Sequence, residues 1–193
     1  LGTLNNLRWL AVVGQGAALL AVRLLLDFDF PVAYASAAVG ASAILNVVLA
    51  VAYPSTKRLT AKGATAFLAY DIVQLAVLLY LTGGIENPFA LLFVAPVVVS
   101  AATLDVTSTL LLGGLAFAAI SVLAGSHMKL PWIAGEVFSL PDLYIYGIWI
   151  ALVLGIGFTS VYAWRIASEA TRMSAALSAT QMALAREHRL AAL

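Results

Sequence analysis

Cysteine is absent from this 193-residue chain. That excludes a disulfide, a thiolate metal site or a thiol switch within it. Charge is scarce too: Asp, Glu, Lys and Arg make up 10% of the residues, against about 25% in soluble domains. The chain shows no Gly-rich phosphate loop, no nucleophile set beside a base and no metal-ligand spacing, so no enzyme constellation is visible. A cleavable signal peptide is not expected, because no small-residue cleavage site follows the first apolar stretch. What is present is hydrophobic: 63% of the residues, with a mean hydropathy of +1.03. A chain this apolar cannot cover its surface with polar groups in water, which makes it an integral membrane protein surrounded by lipid.

The apolar stretches predict an all-α bundle of six spans, at about 7–26, 32–53, 64–81, 89–104, 109–125 and 143–164. Arg8 and Trp9 open the first span as interfacial anchors would. Arg23 and Asp27 are four apart and can pair on one helix face. Pro88 suits the first turn of the fourth span, and Pro96 is expected to kink it. Six spans put both termini on one side. That side receives Arg8, Lys57, Arg58, Lys62, Arg165, Arg172, Arg186 and Arg189, and the other only Arg23 and Lys129. The excess of positive charge predicts a multi-pass topology with both termini cytoplasmic.

After Arg165 the composition changes. Residues 166–193 are Ala-rich, lack Gly and Pro, and carry more charge. Ile166, Ala170, Met173, Leu177, Thr180, Leu184, Glu187 and Ala191 follow a 4-3-4-3 spacing, a heptad seam weakened at Thr180 and Glu187. The spacing predicts a cytoplasmic helix continuing from the sixth span and pairing as a homodimeric coiled coil. The domain division is therefore 1–165 membrane domain and 166–193 signalling helix. The chain stops in mid-helix, which reads as a cut through a larger protein.

Polar residues inside spans are costly and invite a functional reading. Gln15, Asn46 and Asp71 lie at similar depth and are expected to form one polar layer, either for helix packing or as a switch or proton site. The most distinctive polar segment is Thr82-Gly83-Gly84-Ile85-Glu86-Asn87-Pro88-Phe89, between the third and fourth spans. Local chemistry reads it as an outer turn, with glycine at the helix end and Asn-Pro opening the next helix. It also has parts that suit a quinone. Glycine N–H groups and the Asn87 amide are donors for its carbonyls. Tyr80, Phe89 and Trp132 are stacking faces, and Glu86 can take a proton from a quinol. His127, in the outer loop, is either interfacial packing or a hydrogen-bond partner for a ligand. A small-solute transporter or channel is the alternative reading, but the spans show no polar midplane pathway.

Leu79 to Phe89 resembles the Gly-Gly-x-x-Asn-Pro-Phe heptapeptide of the RegB/PrrB/ActS family of redox-responsive sensor histidine kinases. Leu7-Arg8-Trp9, Gly14-Gln15, Leu130-Pro131-Trp132 and Glu187-His188-Arg189-Leu190-Ala191-Ala192-Leu193 agree with it. The resemblance implies ubiquinone bound near Gly83, Gly84, Asn87, Pro88 and Phe89, with Ile85 and Glu86 in the variable positions. It also implies a two-component system: a phosphoacceptor helix, a kinase domain using ATP and Mg, and a cognate response regulator, without direct contact to nucleic acid. The kinase parts are not in this sequence, so the stretch alone is expected to be inactive. His188 lacks the His-Glu-x-x-x-Pro surroundings of a phosphoacceptor.

Overall fold

A computed structural model describes residues 2–52, 60–130 and 139–191. Among them all regular structure is helical. The helices are α1 (Gly2–Leu24), α2 (Val32–Ala52), α3 (Ala61–Leu81), α4 (Val94–Thr103), α5 (Val106–Gly125) and α6 (Asp142–Ala191), with two 3-10 helices, Gly84–Glu86 and Pro88–Phe93, between α3 and α4.

α3 packs against α2, α4 and α5, while α6 lies along α4. Leu68, Ile72, Leu75 and Leu79 of α3 recur at 4-3-4 spacing and point one stripe into the main core. There they meet Phe93, Val97, Leu112, Ile120, Leu152 and Ile156 from the later elements. Another side of α3 offers Leu78 to a smaller cluster with Phe30, Ala35 and Val39, flanked by Val12 and Leu19 of α1. The faces turned away from these clusters are also apolar. Leu10, Ile44, Val51, Leu110, Leu111 and Phe158 are exposed, more bare hydrocarbon than a soluble protein shows. Four helical stretches, Val32–Val51, Ala61–Leu81, Val106–Gly125 and Asp142–Met182, are long and apolar enough to cross a bilayer, and Pro88–Thr103 is a shorter apolar run. The chain is an all-α membrane protein.

Several boundaries differ from the sequence-based expectation for local reasons. α3 starts three residues early because Thr60 caps it, its hydroxyl accepting from Gly63 N–H at 3.2 Å. α5 starts at Val106 because Asp105 is its N-cap. The Ser108 hydroxyl (2.7 Å) and amide (3.2 Å) both donate to that carboxylate, and these bonds hold Asp105 below the usual carboxylate range. The fourth apolar stretch is not one kinked helix. It begins as 3-10 and turns α-helical at Val94. Pro96 then lies in the first turn of α4, where a missing N–H breaks no bond. Arg23 does meet Asp27, at 3.3 Å. However, α1 has ended at Leu24, and Asp27 sits in a left-handed turn with φ 51° rather than on a helix face.

α6 runs 50 residues without a break, about 75 Å at 1.5 Å per residue. Its first part is tied to α5: Trp149 donates to Ser121 Oγ at 3.0 Å, and its ring packs on Phe117 at 5.8 Å. Past Arg165 it leaves the bundle. The seam residues Ile166, Met173 and Leu177 are exposed there, while the side chains of Leu184, Glu187 and Ala191 lie outside the described residues.

Candidate functional site at the Gly-Gly turn

The turn after α3 is built by hydrogen bonds its own sequence supplies. Thr82 ends the helix, its hydroxyl donating to Leu78 O at 2.8 Å and its N–H to Leu79 O at 3.0 Å. The chain then reverses through two residues at positive φ, Gly83 at 108° and Gly84 at 59°. Asn87 locks the exit. Its Nδ2 donates to Thr82 O (2.9 Å) and to Thr82 Oγ1 (3.1 Å), and its Oδ1 accepts from Phe89 N–H at 2.9 Å. Pro88 follows at the first position of the next 3-10 helix.

This arrangement redistributes the roles expected of the turn. The Asn87 amide is engaged on both its atoms, so it holds the turn rather than offering a free donor. The two glycines are roofed by the segment after α5. A Cβ on Gly83 would lie 2.7 Å from Leu130 Cβ, and one on Gly84 would run into the His127 ring. Glycine is needed here for close approach as well as for φ. Met128 N–H donates to Tyr80 O at 2.9 Å and pins the same segment down.

Glu86 is the joint of the site. Its side chain is 4% exposed. Oε1 accepts from Leu140 N–H at 3.0 Å, just before α6. Oε2 faces His127 Nε2 at 3.7 Å, and His127 Nδ1 lies 2.8 Å from Leu123 O at the end of α5. One carboxylate therefore connects the turn, the end of α5 and the entrance of α6. The exposed parts of the site are the side chains of Tyr80 and Phe89, at 41% and 49%, with Pro88 beside them. Trp132 lies outside the described residues. Leu130, Leu123 and Leu140 belong to the site through backbone or shape, which no residue-type signal could have marked.

The expected polar layer divides into separate pairs. Gln15 and Gln74 exchange side-chain amide hydrogen bonds (3.0 and 3.5 Å). Asp71 pairs with Arg8, Nη2 to Oδ1 at 2.9 Å. Arg8 is thus not a headgroup anchor. Its side chain is 8% exposed and its guanidinium lies over the rings of Phe67 (5.5 Å) and Tyr70 (5.7 Å). Asp71 sits ten residues from either end of Ala61–Leu81, nearer mid-helix than the sequence suggested. Asn46 is fully buried, and neither atom of its amide has a partner among the described residues. A separate apolar groove of about 460 Å³ runs between α4, α5 and α6, past Gly113, Phe117, Gly157 and Trp164. It contains none of the candidate residues. Among the described residues no cluster of His, Asp and Glu could hold a metal ion.

Residues 9–131 match the family of PilS-like transmembrane domains with six transmembrane segments. The chain belongs to this family. Its resemblance to the RegB family extends along its whole length. Sensor histidine kinase RegB of Cereibacter sphaeroides is 44% identical over 190 residues, covering 98% of this chain and 41% of the relative. A second RegB sequence, from a named strain of the same species, matches with the same identity and coverage. The chain thus spans about two fifths of the length of the curated relatives it matches. No solved structure matches it.

Proposed function

We propose that this chain is the membrane sensor domain of a two-component histidine kinase, and that it binds ubiquinone at the outer turn between α3 and α4. The observation that carries the reading is the turn itself. The motif that resembles the RegB heptapeptide folds into a rigid platform, bonded within itself, that presents Pro88, Phe89 and Tyr80 outward. A flat quinone ring stacks on such aromatic faces while its isoprenoid tail stays in lipid. The protein donors available to its carbonyls are few, since Asn87 is occupied, so stacking contributes most of the recognition.

In this reading the chain crosses the bacterial inner membrane six times, with both termini cytoplasmic. Glu86 passes the state of the turn to α6 through Leu140, and α6 carries it out of the bundle. The Ile166–Leu177 seam pairs with that of a second copy. Beyond it the full-length protein has a kinase using ATP and Mg and acts on a cognate response regulator. A ligand moves such an equilibrium only by its differential affinity, and a tenfold preference is worth about 1.4 kcal/mol.

The test is quinone titration of the purified chain in lipid nanodiscs, followed by the fluorescence of its four Trp residues. Saturable quenching that Phe89→Ala abolishes, while the fold is retained, is the expected result. Asn87→Ala is a poor control, because it also unties the turn. Quenching that is linear and indifferent to Phe89→Ala would mean partitioning into lipid and remove the site.

A further inference from the structure

The Glu86–His127 pair is bonded in a way that fixes where its protons must be. His127 Nδ1 lies 2.8 Å from Leu123 O. A carbonyl only accepts, so Nδ1 carries a hydrogen and donates it. A neutral ring then has a bare lone pair on Nε2. That nitrogen faces Glu86 Oε2 at 3.7 Å, with the two side chains 14% and 4% exposed. A carboxylate opposite an imidazole lone pair, both largely out of water, is repulsive. The arrangement is favourable only with one further proton, on Nε2 or on Oε2.

We propose that Glu86 and His127 form a proton-binding site that latches the segment after α5, and the entrance of α6, onto the Gly-Gly turn. With the proton bound, the pair is an imidazolium against a carboxylate. The carboxylate also holds Leu140 N–H at 3.0 Å, and the ring lies over Gly84. Without it, the two lone pairs oppose one another and the ring is driven off the turn. Closing the latch binds one proton and opening it releases one, so it is closed at lower pH and loosens as pH rises. The titratable groups at the ends of the described elements that meet the pair are Tyr80 near the end of α3, Lys129 in the loop, and Asp142 and Tyr144 in the first turn of α6. The latch does not depend on a quinone; it is a property of the protein alone.

The experiment uses the 193-residue chain in nanodiscs without added quinone. The chain has no cysteine and two histidines. A nitroxide on Ser126→Cys is therefore a unique label, and ¹⁵N NMR resolves the His127 ring. The label is expected to gain mobility as pH is raised from about 5 to about 8, with His127 keeping its Nδ1 hydrogen throughout. Glu86→Gln should abolish the pH dependence and leave the loop immobile, because the amide accepts from Leu140 and donates to neutral Nε2. His127→Asn should leave the loop mobile at every pH, and it serves where Glu86→Gln fails to fold. A native label indifferent to pH, an Nε2–H tautomer at the alkaline end, or a pH response that survives either substitution overturns the proposal.

Discussion

The Gly-Gly turn and the polar residues between α1, α2 and α3 are both islands of polarity in an apolar chain, and they are bonded unequally: Gln15 and Gln74 pair in the bundle, but Asn46 and Arg8 are left short of hydrogen bonds. At the turn the named side-chain groups of Thr82, Glu86, Asn87 and His127 all have partners within a few residues or across one loop. In the bundle neither amide atom of Asn46 has a partner among the described residues, and Arg8 Nη1 has none there either. Arg8 Nη2 touches Asp71 without the alignment of a hydrogen bond. The difference follows from the chain. A turn can bend its backbone until its polar groups meet. Residues on three rigid helices meet only if the helix axes happen to bring them together. The first region has one good arrangement; the second is a place where another packing of the helices would gain bonds.

That contrast can be broken at its strongest point by Asp71→Ala. Asp71 is 27% exposed and Arg8 8%, so removing the carboxylate leaves a largely buried guanidinium without its countercharge, and a loss of about 3 kcal/mol, the low end for a buried pair, is expected in equilibrium unfolding in detergent. A loss below about 1 kcal/mol, the scale of a solvated pair, would mean that Arg8 swings out to the headgroups. The buried layer would then not need its pairing. Gly84→Ala probes the other region. The new methyl takes a left-handed conformation and meets the His127 ring, which together are expected to cost about 2–4 kcal/mol. The nitroxide at Ser126→Cys should also become mobile in that variant at the acid end of the titration. A label that stays rigid in the Gly84→Ala variant would show that the loop is not seated on the glycine.

The smallest expected effect sharpens the comparison most. Asn46→Leu removes two unpaired polar atoms and keeps a side chain of similar size. Thermal melting should show no loss, or a gain of about 1 kcal/mol. A loss of about 2 kcal/mol or more would show that the amide is bonded in the membrane, and the two regions would then differ less than their geometry says. The matched change at the turn, Asn87→Leu, should destabilise, because it strips three hydrogen bonds from Thr82 and Phe89.

Much of the turn was legible because its chemistry is local. Gly83 and Gly84 at a helix end, and Asn-Pro opening the next helix, announce their conformations by residue type. Locality also hides the role of Asn87: an amide in a turn reads as a free donor, whereas in the fold it bonds to Thr82 and Phe89. His127 and Glu86 are 41 residues apart in sequence, and nothing local pairs them. Arg8 was read as an anchor because Arg-Trp at a helix start commonly is one. Its burial depends on which way α1 is rotated against α3.

Composition by itself placed this protein in a membrane, since 63% of its residues are hydrophobic and 10% charged, and the length of its apolar stretches made it helical. Period and punctuation marked where the apolar helices lie, though α1 begins at Gly2 rather than 7 and α4 at Val94 rather than 89, and that α6 continues far beyond a bilayer's thickness. Only the tertiary structure decided which polar groups meet. It made Glu86 a joint between three elements, turned Arg8 inward to Asp71, and left Asn46 without a partner among the described residues. The physical reason is range. Helix formation and capping act over three or four residues, so the sequence carries them openly. A hydrogen bond between helices needs an ångström-level match of axes, rotations and depths that no stretch of sequence holds alone.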